Sequence, residues 1–586
     1  MNRKQYISIS AFAVVLFVFV LLITKKLHQN NSALTIYYPF NGALFPREFP
    51  TPTFQWDDMD EGIHEWRIRL YLKNHSYSID TISVNKVWKP SESRWDSLKR
   101  FSEGKNIFAE LKRSPSQRSE KSVKKKIRFK ISSDSVAAPI LYREVLLPFV
   151  LAEKYMDSLT FRLVNVGSAD PPHFAMKKFL VCGNCHSFSS DGKTIGLDLD
   201  AAQRDKGGYF IAGIKDTMVF DTGNYLSWNK LQERATFGMF SKISPSGRFI
   251  ATTIKDRVVS ENFDFIPENI AFSQLFFPVN GVLAIYDREK DKLWELPGAN
   301  MEEYVQSNAF WTPDEENLLY CRAKALEYTG GKEKIKVYDK VVTDQFVNRE
   351  RDFKFDIYSI PFNDGKGGIP KPVKGASNNG RSNFFPAVSP DGKWLVFCQA
   401  DNYMLLMPDS KLFIIPAEGG KARQLACNMP LMNSWHAWSP NSKWLVFSSK
   451  GLSIYTDLFL THIDEKGNAS VPVMIESVRR KGRAANYPEF VNIPPVRKFD
   501  MIYNYVNLDH ITLAMMKGDT LQAIDMYEQY IKQEQFSIYE EYIFLAKFTY
   551  SVKRYEEAFH FAELALESKP GDGLARSLIM RIKSRL

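Results

Sequence analysis

Five short phrases in this chain of 586 residues say nearly the same thing. In order they read FSSDGKTIGLD, KISPSGRFIAT, FWTPDEENLLYC, AVSPDGKWLVFC and AWSPNSKWLVFS. Each is an apolar residue, a Ser/Thr-Pro-Asp/Asn-Gly-like turn and a short apolar strand. Pro presets φ near −65° at the second turn position, and Asp, Asn or Gly accept the later dihedrals. Pro245, Pro313, Pro390 and Pro440 mark four turns; Ser190 stands in the first. Spacings from about 50 to 77 residues suit four-stranded blades with variable loops. Hairpin signals follow at the expected offset, as in VLAIYDREKDKLWEL and KLFIIPAEGGKARQL. One such unit cannot bury its apolar faces alone. The spacing therefore predicts a β-propeller over residues 188–497, with NYPEFV near its end as the remnant of a sixth blade that closes the ring.

The pattern differs on either side. Upstream, TPTFQW and HEWRIRLYLKN show Pro-rich breaks and period-two alternation, which predict a β-sandwich of immunoglobulin or fibronectin type over residues 33–165. Residues 166–187 read as a connector. Beyond 498 the apolar period becomes 3.6. Leu545, Ala546, Ala558, Ala565 and Pro570 fall where a tetratricopeptide repeat needs small or apolar knobs and a terminating Pro. Ala523 marks a preceding copy, and residues 573–586 suit a capping helix. The expected fold class is mainly β with an α-helical C-terminus: sandwich, six-bladed propeller, then helical repeats over 498–586.

Residues 6–24 contain no charge and are long enough to cross a ~30 Å hydrocarbon core at ~1.5 Å per residue. Arg3 and Lys4 precede them and Lys25 and Lys26 follow, so flanking charge does not set the orientation. No small-residue cleavage pattern follows. Residues 1–32 therefore read as tail, uncleaved single-pass anchor and linker, with the membrane as a partner. The formal net charge is +10, much of it in RSEKSVKKKIRFK (118–130). With no recognisable binding module, this run reads as a solvated strand or loop, and no nucleic-acid partner is expected.

One motif carries specific chemistry: Cys182-Gly-Asn-Cys185-His186. Two thiols at this spacing reach both vinyl groups of a porphyrin, and the adjacent imidazole falls beneath the iron. The expectation is haem c, attached at Cys182 and Cys185, with His186 as proximal ligand. The alternatives are a zinc site, for which His173 is the nearby further ligand, a redox dithiol, or a motif that holds nothing. The sixth iron ligand is not fixed; His173, Met176, Met429, Met432 and His436 are candidates. Cys321, Cys398 and Cys427 form no disulfide framework and read as small buried residues. Asp191, Asp314 and Asp391 read as turn formers rather than acid–base groups. No nucleophile elbow, zinc-protease motif or phosphate loop is present, so no catalytic residue is named.

APILYREVLLPF, CGNCHSFSSDGKTIGLD and SPDGKWLVF, with the C-terminal helical pair, resemble a family of Bacteroidetes envelope proteins described as TolB-like or as cytochrome c biogenesis proteins. The resemblance implies a chain in the cytoplasmic membrane with its bulk in the periplasm, where bacterial haem c is attached. It implies a scaffold for other envelope proteins, held by the propeller face and the tetratricopeptide groove, with a link to cytochrome c biogenesis. The alternative function is a haem c redox protein.

Overall fold

Each Ser/Thr-Pro turn joins the first two strands of an antiparallel blade; the blades of the Pro390 and Pro440 turns are separate four-stranded sheets, and those of the Pro245 and Pro313 turns are linked into one nine-stranded sheet. This holds in the computed structural model, which describes residues 34–586 apart from 61–63, 74–76, 103, 114–121, 156–157, 178–181, 201–205, 232–235, 263–273, 328–335, 338–339, 406, 505–510, 512–513, 516–517 and 535–537. The turns are held as their composition demands. The Ser189, Ser389 and Ser439 hydroxyls donate to Asp191, Asp391 and Asn441 at 2.7, 2.6 and 2.7 Å. Those side chains in turn accept the backbone N–H two residues on. Asp314 does the same between Thr312 and Glu316. The turn-forming role of these acids is thus visible directly.

The inner strands of the blades are Arg483–Phe490, Cys182–Phe188, Lys242–Ile243, Tyr304–Trp311, Ser382–Val388 and Asn433–Trp438, in blades one to six. Each touches the next, and the last touches the first, so the six close a ring. Blade one is assembled from both ends of the propeller. Its outer strands Ile140–Leu146, Thr160–Val164 and His173–Met176 come before blade two in the chain; its inner strand comes after blade six. Two expected boundaries therefore move. Residues 140–164, expected in the sandwich, are blade strands. Ile140–Leu146 is nearly all buried, as a strand covered on both faces must be, and its partner lies at the far end of the chain. The CxxCH, expected in a connector, is the inner strand of blade two, paired with Thr194–Asp200.

The sandwich occupies residues 34–131. A three-stranded sheet (Leu34–Tyr38, Phe54–Asp58, Val87–Trp88) shares one core with a five-stranded sheet ordered Leu44–Phe45, Val123–Ile131, Ile107–Arg113, Trp66–Leu72, Ser78–Ser83. Trp95 and Leu98 of helix Glu92–Phe101 join that core. It continues into blade six through Trp444, Val446, Leu458 and Leu460. Polar ties fix the same junction: His462 to Asp134 at 2.7 Å, Thr53 N–H to Glu476 at 2.8 Å, and the Asn441 amide to the Ser135 carbonyl at 2.7 Å.

Helices Thr520–Glu534, Ile538–Ser551, Tyr555–Ser568 and Gly573–Lys583 follow. Ala523, Leu545, Ala546, Ala558 and Ala565 are buried in their shared core, where the repeat pattern required small residues. Among the described residues no helix is long and apolar enough to cross a membrane, and the expected anchor at 6–24 lies outside them.

An ion cluster locks the two-ended blade. Glu144 meets Arg162 at 2.9 Å, with the pair 3% and 2% exposed. Arg480 and Arg483, from the returning segment, each approach Glu144 at 3.6 Å. Glu144→Ala leaves Arg162 buried without its carboxylate and is expected to cost about 3–5 kcal/mol in urea unfolding. A loss under about 1 kcal/mol would show that the cluster does not hold the closure.

Candidate functional site

Counting back from each turn aligns the six inner strands. Four residues before the turn serine or threonine, or its blade-one counterpart, stand Tyr487, Cys185, Phe240, Asn308, Phe385 and Trp435. Five inner strands carry a register shift here, where one extra residue is accommodated. Phe240, Asn308, Phe385, Trp435 and Tyr487 all have left-handed backbones, with φ of 59°, 56°, 54°, 46° and 51°. Bulky residues avoid that region, at a cost of about 1–3 kcal/mol each when the surroundings impose it. These five residues line one cavity of about 320 Å³ on the propeller axis. Pro245, Pro313, Pro390 and Pro440 of the turns form its rim. At the strand ends opposite the turns, Phe277, Phe346, Phe353, Tyr403 and Met404 pack into one cluster with Phe240 and Phe385. The cavity is therefore a cup whose aromatic wall is continuous with that packed cluster.

One ion pair breaks the apolar wall. Lys242 of blade three pairs with Glu489 of blade one. Both hold the same place in their strands, and the equivalent residue of the intervening blade is Ser187. That small side chain lets the lysine reach across blade two. The Lys242 ammonium also lies 5.5 Å from the Phe310 ring centre. Burial raises the Glu489 carboxyl, with Lys242 pulling it back, and its second oxygen has no hydrogen-bond partner. On the second strand of blade two, buried Asp198 accepts the Ser241 N–H at 3.1 Å with one oxygen while the other has no partner. Burial pushes Asp198 up to about 8, and nearby Asp256 adds to the shift.

The CxxCH lies beside this cup. Cys182 is in the strand. Cys185 is partly buried at the bulge, next to the Tyr487 hydroxyl, and burial pushes its thiol well above the usual range. His186 is 1% exposed. Its ring meets Tyr487, Phe161 and Phe188 at 5.4, 5.8 and 5.8 Å, and burial pushes its pKa down to about 3. His436 occupies the same place in blade six. There one ring nitrogen lies 3.1 Å from the Val396 carbonyl in the second strand of the preceding blade. For His186 the corresponding carbonyl is that of Leu141, although neither ring nitrogen reaches full hydrogen-bond geometry. Both histidines thus wedge neighbouring blades. A haem iron bonds an imidazole nitrogen and needs open space at that edge of the ring, whereas both ring nitrogens of His186 are buried in the packing between blades; the packed residues do not fit haem.

The other candidate ligands are not brought to His186. His173 and Met176 are on the outermost strand of blade one, where His173 lies 2.8 Å from Asp500. Met429 and Met432 are buried between blades five and six, and His436 is engaged as described. Among the described residues no group of three or more His, Cys, Asp or Glu is placed to hold a metal ion. The cup residues were missed by motif reasoning. The signal was the constant offset from each turn, which shows only when all six inner strands are aligned.

No family model and no curated protein matches the chain. Among solved structures, TolB from Acinetobacter baumannii is 12% identical with TM-score 0.37, over 66% of this chain and 79% of that one. A putative TolB from Agrobacterium tumefaciens is 13% identical with TM-score 0.32, over 61% and 99%. The periplasmic gluconolactonase of Pseudomonas aeruginosa is 12% identical with TM-score 0.30, over 56% and 81%. The propeller assignment rests on the closed ring of inner strands rather than on these likenesses.

Asp198 carries a pH signature. The folded state keeps its proton to about pH 8, whereas the unfolded chain releases it near 3.8. Stability from this group is therefore full below 3.8 and lost as pH rises towards 8, at about 1.4 kcal/mol per pH unit. Asp198→Asn should remove that slope. Between pH 5 and 7.5 the variant should gain roughly 3 kcal/mol on wild type in urea unfolding. Parallel pH profiles would show that Asp198 is ionised in the fold.

Proposed function

We propose that this chain is a membrane-tethered envelope scaffold whose axial cup receives an extended segment of a partner protein, with the helical pairs as a second docking surface. The observation that carries the reading is the ring of five left-handed residues, four of them aromatic, lining one cup. Strain of this kind persists where the surrounding structure imposes it, and it gathers at binding and switch sites. The cup's size falls within the ~300–1,000 Å³ of ordinary ligand pockets, and its mix of aromatic wall and one ion pair suits an apolar side chain beside a polar backbone. Trp, Tyr and Phe supply large rigid contact area, which favours them at protein interfaces. The packing of His186 supports a structural role for the CxxCH strand within blade two and speaks against the haem redox alternative.

The test is site-specific photo-crosslinking in the native envelope. A photoreactive phenylalanine analogue at Phe385, in the cup, should give an adduct of discrete mass. The same analogue at Phe413, on an outer strand of blade five, should not. Adducts at both positions alike, or at neither, would overturn the cup as the binding site. A second measurement addresses the cofactor. Protein isolated from native membranes should show no Soret or α-band in the presence of reductant and no haem stain after denaturing electrophoresis. A stain that disappears in Cys182→Ala/Cys185→Ala would reinstate haem c.

A further inference from the structure

The five-stranded sheet of the sandwich buries one face and presents the other to water. On the water face the register sets the side chains in rows. Arg67 stands opposite Lys112, and Lys112 opposite Lys124. The next row is Asp80, Arg69, Glu110, Lys126. The third is Ser78, Tyr71, Phe108, Arg128, and Lys130 lies two residues further along the same strand. Asp80 is claimed by Arg67 and Arg69 at 3.1 and 3.3 Å. Glu110 sits between Arg69 and Lys126. Beyond these acids, Lys112, Lys124, Lys126, Arg128 and Lys130 leave the face strongly cationic.

Like charges directly opposite on neighbouring strands destabilise a sheet. The first row accepts two such contacts with no acid in it, and Ile82 at its end is 62% exposed. The middle of the face carries an aromatic platform. Tyr71 and Phe108 stack at 5.6 Å, and the Lys126 ammonium lies 4.1 Å from the Phe108 ring centre and 5.1 Å from that of Tyr71. The described part of the charged run, Lys124 to Lys130, read from sequence as a solvated strand or loop, is thus one side of a broad basic face whose aromatics come from other strands.

The position of the face in the chain selects its partner. The sandwich begins at Leu34, and the apolar run ends at residue 24. Nine residues intervene and span at most about 30 Å when extended. A flat cationic sheet held that close to a bilayer meets headgroups at high effective concentration. We infer that this face docks on anionic phospholipid headgroups and so fixes the orientation of the propeller against the membrane. The inference rests on the tether of the proposed function for its delivery, and is independent of the cup.

The experiment uses the full chain with vesicles of phosphatidylcholine alone or mixed with phosphatidylglycerol. Flotation reads attachment, and lysine acetylation followed by mass spectrometry reads the face. Lys112, Lys124, Lys126 and Lys130 should be protected only by the anionic vesicles, with Lys193 of a blade-two turn as an unprotected control. Protection should vanish near 1 M salt, where the screening length is about 3 Å. Lys124→Gln/Lys126→Gln/Arg128→Gln alters exposed side chains only. It should lower the docking equilibrium constant about a hundredfold, at roughly fivefold per charge, while flotation through the anchor persists. Flotation with both vesicle types and equal labelling on each would overturn the inference and leave the tether standing. Flotation with anionic vesicles alone, with the four lysines protected, would support the face and sink the tether. Flotation with neither overturns both. Protection by an oligonucleotide or an acidic polysaccharide, but not by phosphatidylglycerol, would also overturn the inference.

Discussion

A propeller is stable only when its ring is closed, because each blade buries its apolar faces against two neighbours. In this chain closure depends on one strand, Arg483–Phe490, returning to pair with Ile140–Leu146. Without it, blade one would lose its inner strand and blade six would expose the face that packs on it. The returning strand also brings Tyr487, Pro488 and Glu489 to the axis, which completes the cup. Arg480 and Arg483 on the same segment gather around buried Glu144. Fold closure and cup assembly are therefore one event, and the ion cluster and the ladder hydrogen bonds reinforce each other.

The sandwich is part of the same mechanical unit. Its core runs without a break into blade six, and the Tyr38 hydroxyl bonds to the Met474 carbonyl there. The basic face is on the far side of the five-stranded sheet from that shared core. A contact made on the face would thus be transmitted through a packed core to the blade that flanks the closing strand. Packed cores transmit displacement because they hold few voids.

The CxxCH takes a place in the fold that its spacing does not specify. Its spacing is chemically suited to haem, but spacing says nothing of what surrounds the imidazole. In this fold the motif is an ordinary inner strand. Gly183 begins a bulge, Cys185 takes the place that Phe240, Phe385, Trp435 and Tyr487 take elsewhere, and His186 matches His436. The small Ser187 leaves room over blade two for the Lys242–Glu489 pair.

The turns and the small knobs of the helices were legible because they depend on local chemistry. A Ser-Pro-Asp-Gly turn forms from its own dihedral preferences and side-chain hydrogen bonds, and an alanine between two helices is small wherever it sits. The sandwich strands were legible from their alternation, though not their end, since Ile140–Leu146 follows them as one more short strand and its partner lies at the far end of the chain. What the tertiary structure alone decided is everything that joins distant residues: the two-ended blade, the five left-handed positions meeting on one axis, the ion pair over Ser187, and the aromatics that turn a charged run into a surface. These depend on contacts between segments far apart in the chain, and local preference carries no information about which segment will arrive.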